Sequence, residues 1–338
     1  MNMIKFFLIG LVVLFMSGCA QKVQIRALAP AKVGEMANNK TVAVSKFKSD
    51  KVGLSGKIES KIASHKLDRK KYFKVVSRKD IDKVLKEQKL QSSELMDEKT
   101  TTRVGKIVGA QAIINGEVTT ASGKSGSYKE KRKRCKKYDK KAKECVKYEY
   151  YIVRCNTTEA TVAANINIVG VESASVIYGN SFRKSYQADS CRTFRRVLST
   201  NEAIESLSAS IANEFVGNLT PKYIYFKVEL LDEIEFDASS KQEKKLENAL
   251  KYIEANRMDK AEEILNVLLD EFDGRSYVIA YDLGVVKEAR GKFDEAKNMY
   301  SLADEISTEP IEELNNALIR IDDLISKRDE AIRQIDAK

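Results

Sequence analysis

The 338-residue sequence predicts a layered α/β domain over residues 41–226, followed by an all-α domain over residues 227–338. Three observations carry this reading. Up to Phe226, stretches that alternate apolar and polar residues are interleaved with stretches of helical period, the pattern of a sheet covered by helices. Beyond Lys227 helical period dominates, over residues 241–337, and one motif recurs at an interval of 35 residues. The charge also changes sign at that point. Residues 227–338 hold 17 Lys and Arg against 28 Asp and Glu, a net −11, although the whole chain is +10.

Within the first domain the elements follow in order. Thr41–Phe47 (TVAVSKF) alternates as a strand. Gly53–Tyr72 reads as a helix because Leu54, Ile58, Ile62 and Leu67 fall near one face. Phe73–Val76 is a short strand. Ser77 with Asp80 resembles a capping box and opens a helix to about Leu90, with Ile81, Val84 and Leu85 inward. Thr102–Val108 is a further helix and Ala110–Thr119 a strand. Thr161–Val171 and Ser175–Tyr186 form a hairpin around Glu172–Ala174, and Asn201–Asn218 is an amphipathic helix ending before Pro221.

The N-terminus sets the compartment. A single cation, Lys5, precedes the eleven-residue apolar run Phe6–Met16. That run is too short for a bilayer-spanning helix, which needs about 20 residues, and reads as a signal-peptide core. Met16-Ser17-Gly18-Cys19 resembles the bacterial lipobox. The resemblance implies that residues 1–19 are a signal, that Cys19 is acylated, and that Ala20 at the next position favours the outer membrane, periplasmic face. Residues 20–40 are polar and mixed and read as a tether.

Composition excludes much chemistry. His65 is the one histidine, and neither a nucleophile nor a set of metal ligands lies near it in sequence. Ser122-Gly123-Lys124-Ser125 lacks the upstream Gly of a phosphate loop, since Val118 stands there. No catalytic residue, metal site or cofactor is expected, and the chain is not read as an enzyme. The remaining cysteines, Cys135, Cys145, Cys155 and Cys191, are even in number in an oxidising compartment, which suggests two disulfides with three possible pairings. Residues opposite each other in the predicted hairpin have numbers summing to 346, as do Cys155 and Cys191, so those two should face each other. Cys135 and Cys145 would then clamp a second, basic hairpin. That segment, residues 121–156, holds 13 Lys and Arg against 4 Asp and Glu. Its densest part is Lys131, Arg132, Lys133, Arg134, Lys136, Lys137, Lys140 and Lys141, interleaved with tyrosines. The signal at the N-terminus argues against nucleic acid as its partner.

Several motifs together resemble one family. Val42-Ala43-Val44-Ser45-Lys46-Phe47 is similar to its opening strand. Phe73-Lys74-Val75-Val76-Ser77-Arg78, followed by Ile81, Val84, Leu85, Glu87 and Gln88, is similar to its first strand–helix unit. Residues 105–118 (GKIVGAQAIINGEV) and 166–178 (INIVGVESASVIY) resemble two further motifs, with Glu172-Ser173-Ala174 replacing the usual turn residues. Their order and spacing fit the CsgG family, the curli secretion-channel lipoproteins. The resemblance implies an α/β fold and membership of an outer-membrane assembly or transport system. In the channel proteins each subunit is thought to donate two membrane-spanning hairpins, which by position would fall at residues 121–156 and 182–200 here. A Lys or Arg facing lipid at mid-membrane costs about 2–4 kcal/mol. Four consecutive cations, Lys131 to Arg134, must point both ways along a strand, so these segments suit a barrel wall poorly.

In the second domain, Leu283, Gly284, Gly291, Phe293, Ala296, Tyr300 and Ala303 resemble a tetratricopeptide repeat in spacing. Ala249, Tyr252, Met258, Ala261 and Leu265 repeat the pattern upstream, and about five helices should cover residues 241–337. Such a stack implies a groove for a protein partner or a platform for a homo-oligomer. Together these readings predict a lipid-anchored accessory of assembly or export. A curli-type secretion pore and a regulator that docks on a cell-wall synthase are the alternatives.

Overall fold

The computed structural model describes residues 21–90, 95, 97–191 and 196–337. Cys19 lies outside the described residues. The chain divides into two compact units. One comprises residues up to Leu28 together with Tyr223–Arg328, and the other comprises Ala29–Lys222 together with Asp329–Lys338.

The α/β unit is built on a five-stranded sheet. Its strands are β2 (Thr41–Val44), β5 (Lys74–Val76), β6 (Ala112–Asp139), β7 (Glu144–Gly170) and β8 (Ser175–Ser190). The order is β5-β2-β6-β7-β8, with β2 parallel to β5 and β6, and β6, β7 and β8 antiparallel. Alternation along the strands sends buried residues to two faces. Val42, Val44, Ile114, Val162, Ile166 and Ile168 meet α1 (Leu54–Ser64) and α4 (Thr200–Asn218). Ala43 and Ile113 meet α2 (Arg78–Glu87) and α3 (Glu98–Val108). Helix starts are capped as their sequences require: Asp97 accepts from the Thr100 amide, and Ser199 with Glu202 completes a capping box. Gly105 is obligatory for α3, because a Cβ there would lie 2.3 Å from Val171.

Two expectations are revised here. The predicted helix Gly53–Tyr72 ends at Ser64. Asp68 and Arg69, both at positive φ, turn the chain between β3 (Lys66–Leu67) and β4 (Lys70–Lys71). The expected tether at residues 20–40 is structured. Lys22–Ala29 forms β1, whose Val23, Ile25 and Ala27 alternate into the core of the other unit. The remainder, including a short 3-10 helix at Gly34–Asn38, belongs to the α/β unit. There Gln334 accepts from the Ala31 amide at 2.7 Å, and the Lys40 ammonium donates to the carbonyls of Ile335 and Ala337.

The helical unit joins β1 to β9 (Lys222–Glu229) and continues through α5 (Ser240–Glu254), α6 (Met258–Glu271), α7 (Tyr277–Ala289), α8 (Phe293–Ile306) and most of α9 (Glu312–Asp336). The two units therefore divide after Lys222, rather than at the predicted boundary after residue 226. The α5–α6 and α7–α8 turns are equivalent at an offset of 35 residues. Arg257 N donates to Tyr252 O and Lys292 N to Lys287 O, while Asn256 and Gly291 hold the same left-handed conformation. Leu283, Phe293, Ala296, Tyr300 and Ala303 are all buried. Gly284 is required by close approach, since a Cβ would stand 2.5 Å from the Tyr300 ring.

Candidate functional site

The basic segment is a continuous two-stranded ribbon. Strands β6 and β7 stay paired from Ala112↔Gly170 to Asp139↔Glu144. The first part is core: Ile114 and Ile168 are buried side by side. Beyond Ser127↔Asn156 the ribbon is almost entirely exposed. From Ser127 to Asp139 it reaches about 40 Å at roughly 3.3 Å per residue. The Ser122–Ser125 segment, which lacks the Gly of a phosphate loop, is strand.

Two disulfides bracket this arm. Cys155 is bonded to Cys191 at the point where the β7–β8 ladder ends, one position past Asn156↔Ser190. The ladder keeps partners summing to 346 from there to Ile168↔Tyr178. Cys135 is bonded to Cys145 near the tip, Cα to Cα 5.8 Å. These two do not face each other in the register: Cys135 pairs with Tyr148, and Tyr138 with Cys145. Register shifts on either side of Lys137 offset the strands enough for the bond to form diagonally.

The arm carries cations on both faces. Lys129, Lys131 and Lys133 share a face with Arg154, Ile152 and Tyr150, their partners across the ladder. Arg132 and Arg134 share the other with Tyr151 and Glu149. Lys131 lies over the Tyr150 ring and Lys133 over the Tyr148 ring, each 4.7 Å from the centroid, and Arg134 lies over Tyr151 at 5.6 Å. Such stacking holds a cation in place while leaving it wet. Arg132 pairs with Glu130 at 2.9 Å and Arg134 with Glu149 at 3.0 Å. The Arg132 guanidinium holds the Glu130 carboxyl below its usual range. Lys131, Lys133, Lys136, Lys137, Lys140 and Lys141 have no carboxylate partner among the described residues.

The structure thus brings the predicted basic residues with Cys135, Cys145 and Cys155 onto one ribbon, ties Cys191 to its base through the disulfide, and leaves the repeat motif in the other unit. Sequence reasoning missed the full length of β6 and β7, because Lys and Arg obscure a period-2 pattern that the tyrosines still mark at 148 and 150. The second segment proposed for membrane crossing is not a hairpin where it is described: Phe182–Ser190 is the end of β8, and residues 196–199 are irregular. Among the described residues, Glu130, Cys155 and Cys191 form the one cluster with metal-ligand geometry, and the two sulfurs are already bonded to each other.

Comparison with known proteins places this fold. A family model described as curli production assembly/transport component CsgG matches residues 32–264. The match covers well over half of the sequence, and the chain belongs to the CsgG family. Among solved structures, a PelC dodecamer from Paraburkholderia phytofirmans aligns over 59% of this chain and 97% of its own, at 8% identity and a TM-score of 0.25. No curated protein matches the chain.

Proposed function

We propose that this member of the CsgG family is a non-enzymatic accessory of assembly and export, held at the periplasmic face of the outer membrane by a lipid on Cys19. In this reading the helical repeats bind a protein partner or a second copy, and the stapled cationic arm makes a contact with an acidic surface. The observation that carries it is the distribution of charge on the arm. A barrel strand needs about 9–11 residues with an apolar side toward lipid. The arm has the length but offers no such side, because Lys131 and Arg132 stand on opposite faces within one residue. A secretion pore is the second reading, favoured by that length and by the family match.

Cells lacking the chain should lose delivery of a subset of proteins to the outer surface, measured as protease-accessible surface protein. Wild type should restore it. A variant with Lys131, Lys133, Lys136 and Lys137 changed to Glu should remain folded and membrane-bound yet fail to restore it. Full restoration by that variant would remove the arm from the function.

A further inference from the structure

The helical unit carries a second cationic surface, and chain length fixes where it must lie. Strand β1 begins at Lys22, three residues after Cys19. Three residues span at most about 11 Å. On the reading that Cys19 carries the lipid, β1 therefore starts within about 11 Å of the bilayer, too close for a free tether.

The sheet formed by β1 and β9 has one buried and one exposed face. Val23, Ile25, Ala27 and Val228 are buried in the core of the unit, with Ile224 and Phe226 packed against it. Alternation sends Lys22, Gln24 and Arg26 of β1, and Tyr223, Tyr225 and Lys227 of β9, to the opposite side. Contacts place these residues on one surface. The Arg26 guanidinium lies 3.5 Å from the centroid of the Tyr223 ring, and Lys22 pairs with Glu229. Tyr225 is 59% exposed, and Gln24 and Lys227 are exposed too. This face is aromatic and cationic, although the segment that follows it, residues 227–338, is strongly acidic. Tyr sits favourably at headgroup depth, and Lys and Arg are drawn to anionic lipid.

We propose that the exposed face of the β1–β9 sheet rests on the anionic headgroups of the leaflet that holds the lipid. Tyr225 enters the interface, and Arg26 and Lys227 flank it. The lipid then supplies attachment, and the sheet fixes the orientation of the helical unit on the membrane. This inference rests on the anchor reading of Cys19.

The sequence contains no Trp, so Tyr225→Trp gives a single fluorescent reporter at an exposed site. The full-length acylated protein would be reconstituted in vesicles of phosphatidylethanolamine and phosphatidylglycerol, with and without brominated acyl chains. The expected result is a blue-shifted emission that brominated lipid quenches. Adding Lys227→Glu changes the surface charge by two and should weaken the contact about thirtyfold, abolishing most of the quenching. Intact mass, measured on the same sample, reports the acyl groups. Acyl mass with an unshifted, unquenched reporter overturns this inference and leaves the anchor standing. Absence of acyl mass overturns the anchor, and the inference with it. A shift that follows protein concentration rather than lipid assigns the face to a second copy and also overturns it.

Discussion

The helical unit and the β6–β7 arm are both dense in charge, and they hold it in opposite ways. In the helical unit Glu288 is fully buried, taking hydrogen bonds from the Arg320 guanidinium at 3.0 and 2.9 Å and from the Tyr300 hydroxyl at 2.5 Å. Glu262, also buried, gathers Lys287, Arg290 and Lys292. On the arm, Lys131 and Lys133 lie over exposed tyrosines and face no carboxylate among the described residues. A buried ion pair constrains packing, and breaking it leaves an uncompensated charge. Exposed cations add little to stability. Burial, rather than count, decides whether a charged side chain serves the fold or remains available to a partner.

The largest effect is expected at Glu288. Glu288→Ala leaves Arg320 and the Tyr300 hydroxyl without their partner, and should destabilise the helical unit by about 3–5 kcal/mol in urea unfolding followed by circular dichroism. Next in size is the base of the arm. Cys155→Ser with Cys191→Ser opens a loop closed across 36 positions and should cost about 2–4 kcal/mol in the α/β unit. The tip bond, Cys135 to Cys145, lies in exposed ribbon. Its removal should leave the melting temperature nearly unchanged while speeding trypsin cleavage within residues 129–147. Gly284→Ala forces a Cβ against the Tyr300 ring and should cost about 1–3 kcal/mol.

A subtler contrast is pH. Asp282 is fully buried, and burial pushes its carboxyl well above the usual range, with the nearby Asp232 charge adding to the effect and the hydrogen bond from the Leu231 amide opposing it. The folded state therefore binds a proton that the unfolded state gives up at about pH 3.9. Stability from this group is complete below that pH and declines as pH rises toward the folded-state value. Asp282→Asn should flatten that slope in unfolding curves measured from pH 4 to 8. Smallest of all, Lys131→Glu with Lys133→Glu should change stability by less than about 0.5 kcal/mol.

The layered fold was legible because its cores obey simple periods. Val42 and Val44 alternate with Ala43, and Ile58 and Ile62 fall one turn apart. The β7–β8 register was legible too, since a hairpin's turn fixes every partner in the ladder. The tip was less so: the shifts beside Lys137 move the register without leaving a signal in residue type. The strand at Lys22–Ala29 was overlooked because Lys22, Gln24 and Arg26 made the segment look polar. Their alternation with Val23, Ile25 and Ala27 was the informative feature. The helix expected to run to Tyr72 failed at Asp68 and Arg69, where a tight turn uses residues that do not announce a positive φ. The charge of the arm was plain in the sequence, but its extension as one stapled ribbon depended on long-range pairing.

On the proposed function the arm meets an acidic surface from the aqueous side and does not line a pore. Planar bilayers containing the purified, acylated protein test it most directly. The expected bilayer conductance is no higher than that of the lipid alone, at any protein density. Stable unitary conductance steps that disappear when residues 127–154 are deleted would contradict it and establish the arm as a barrel wall.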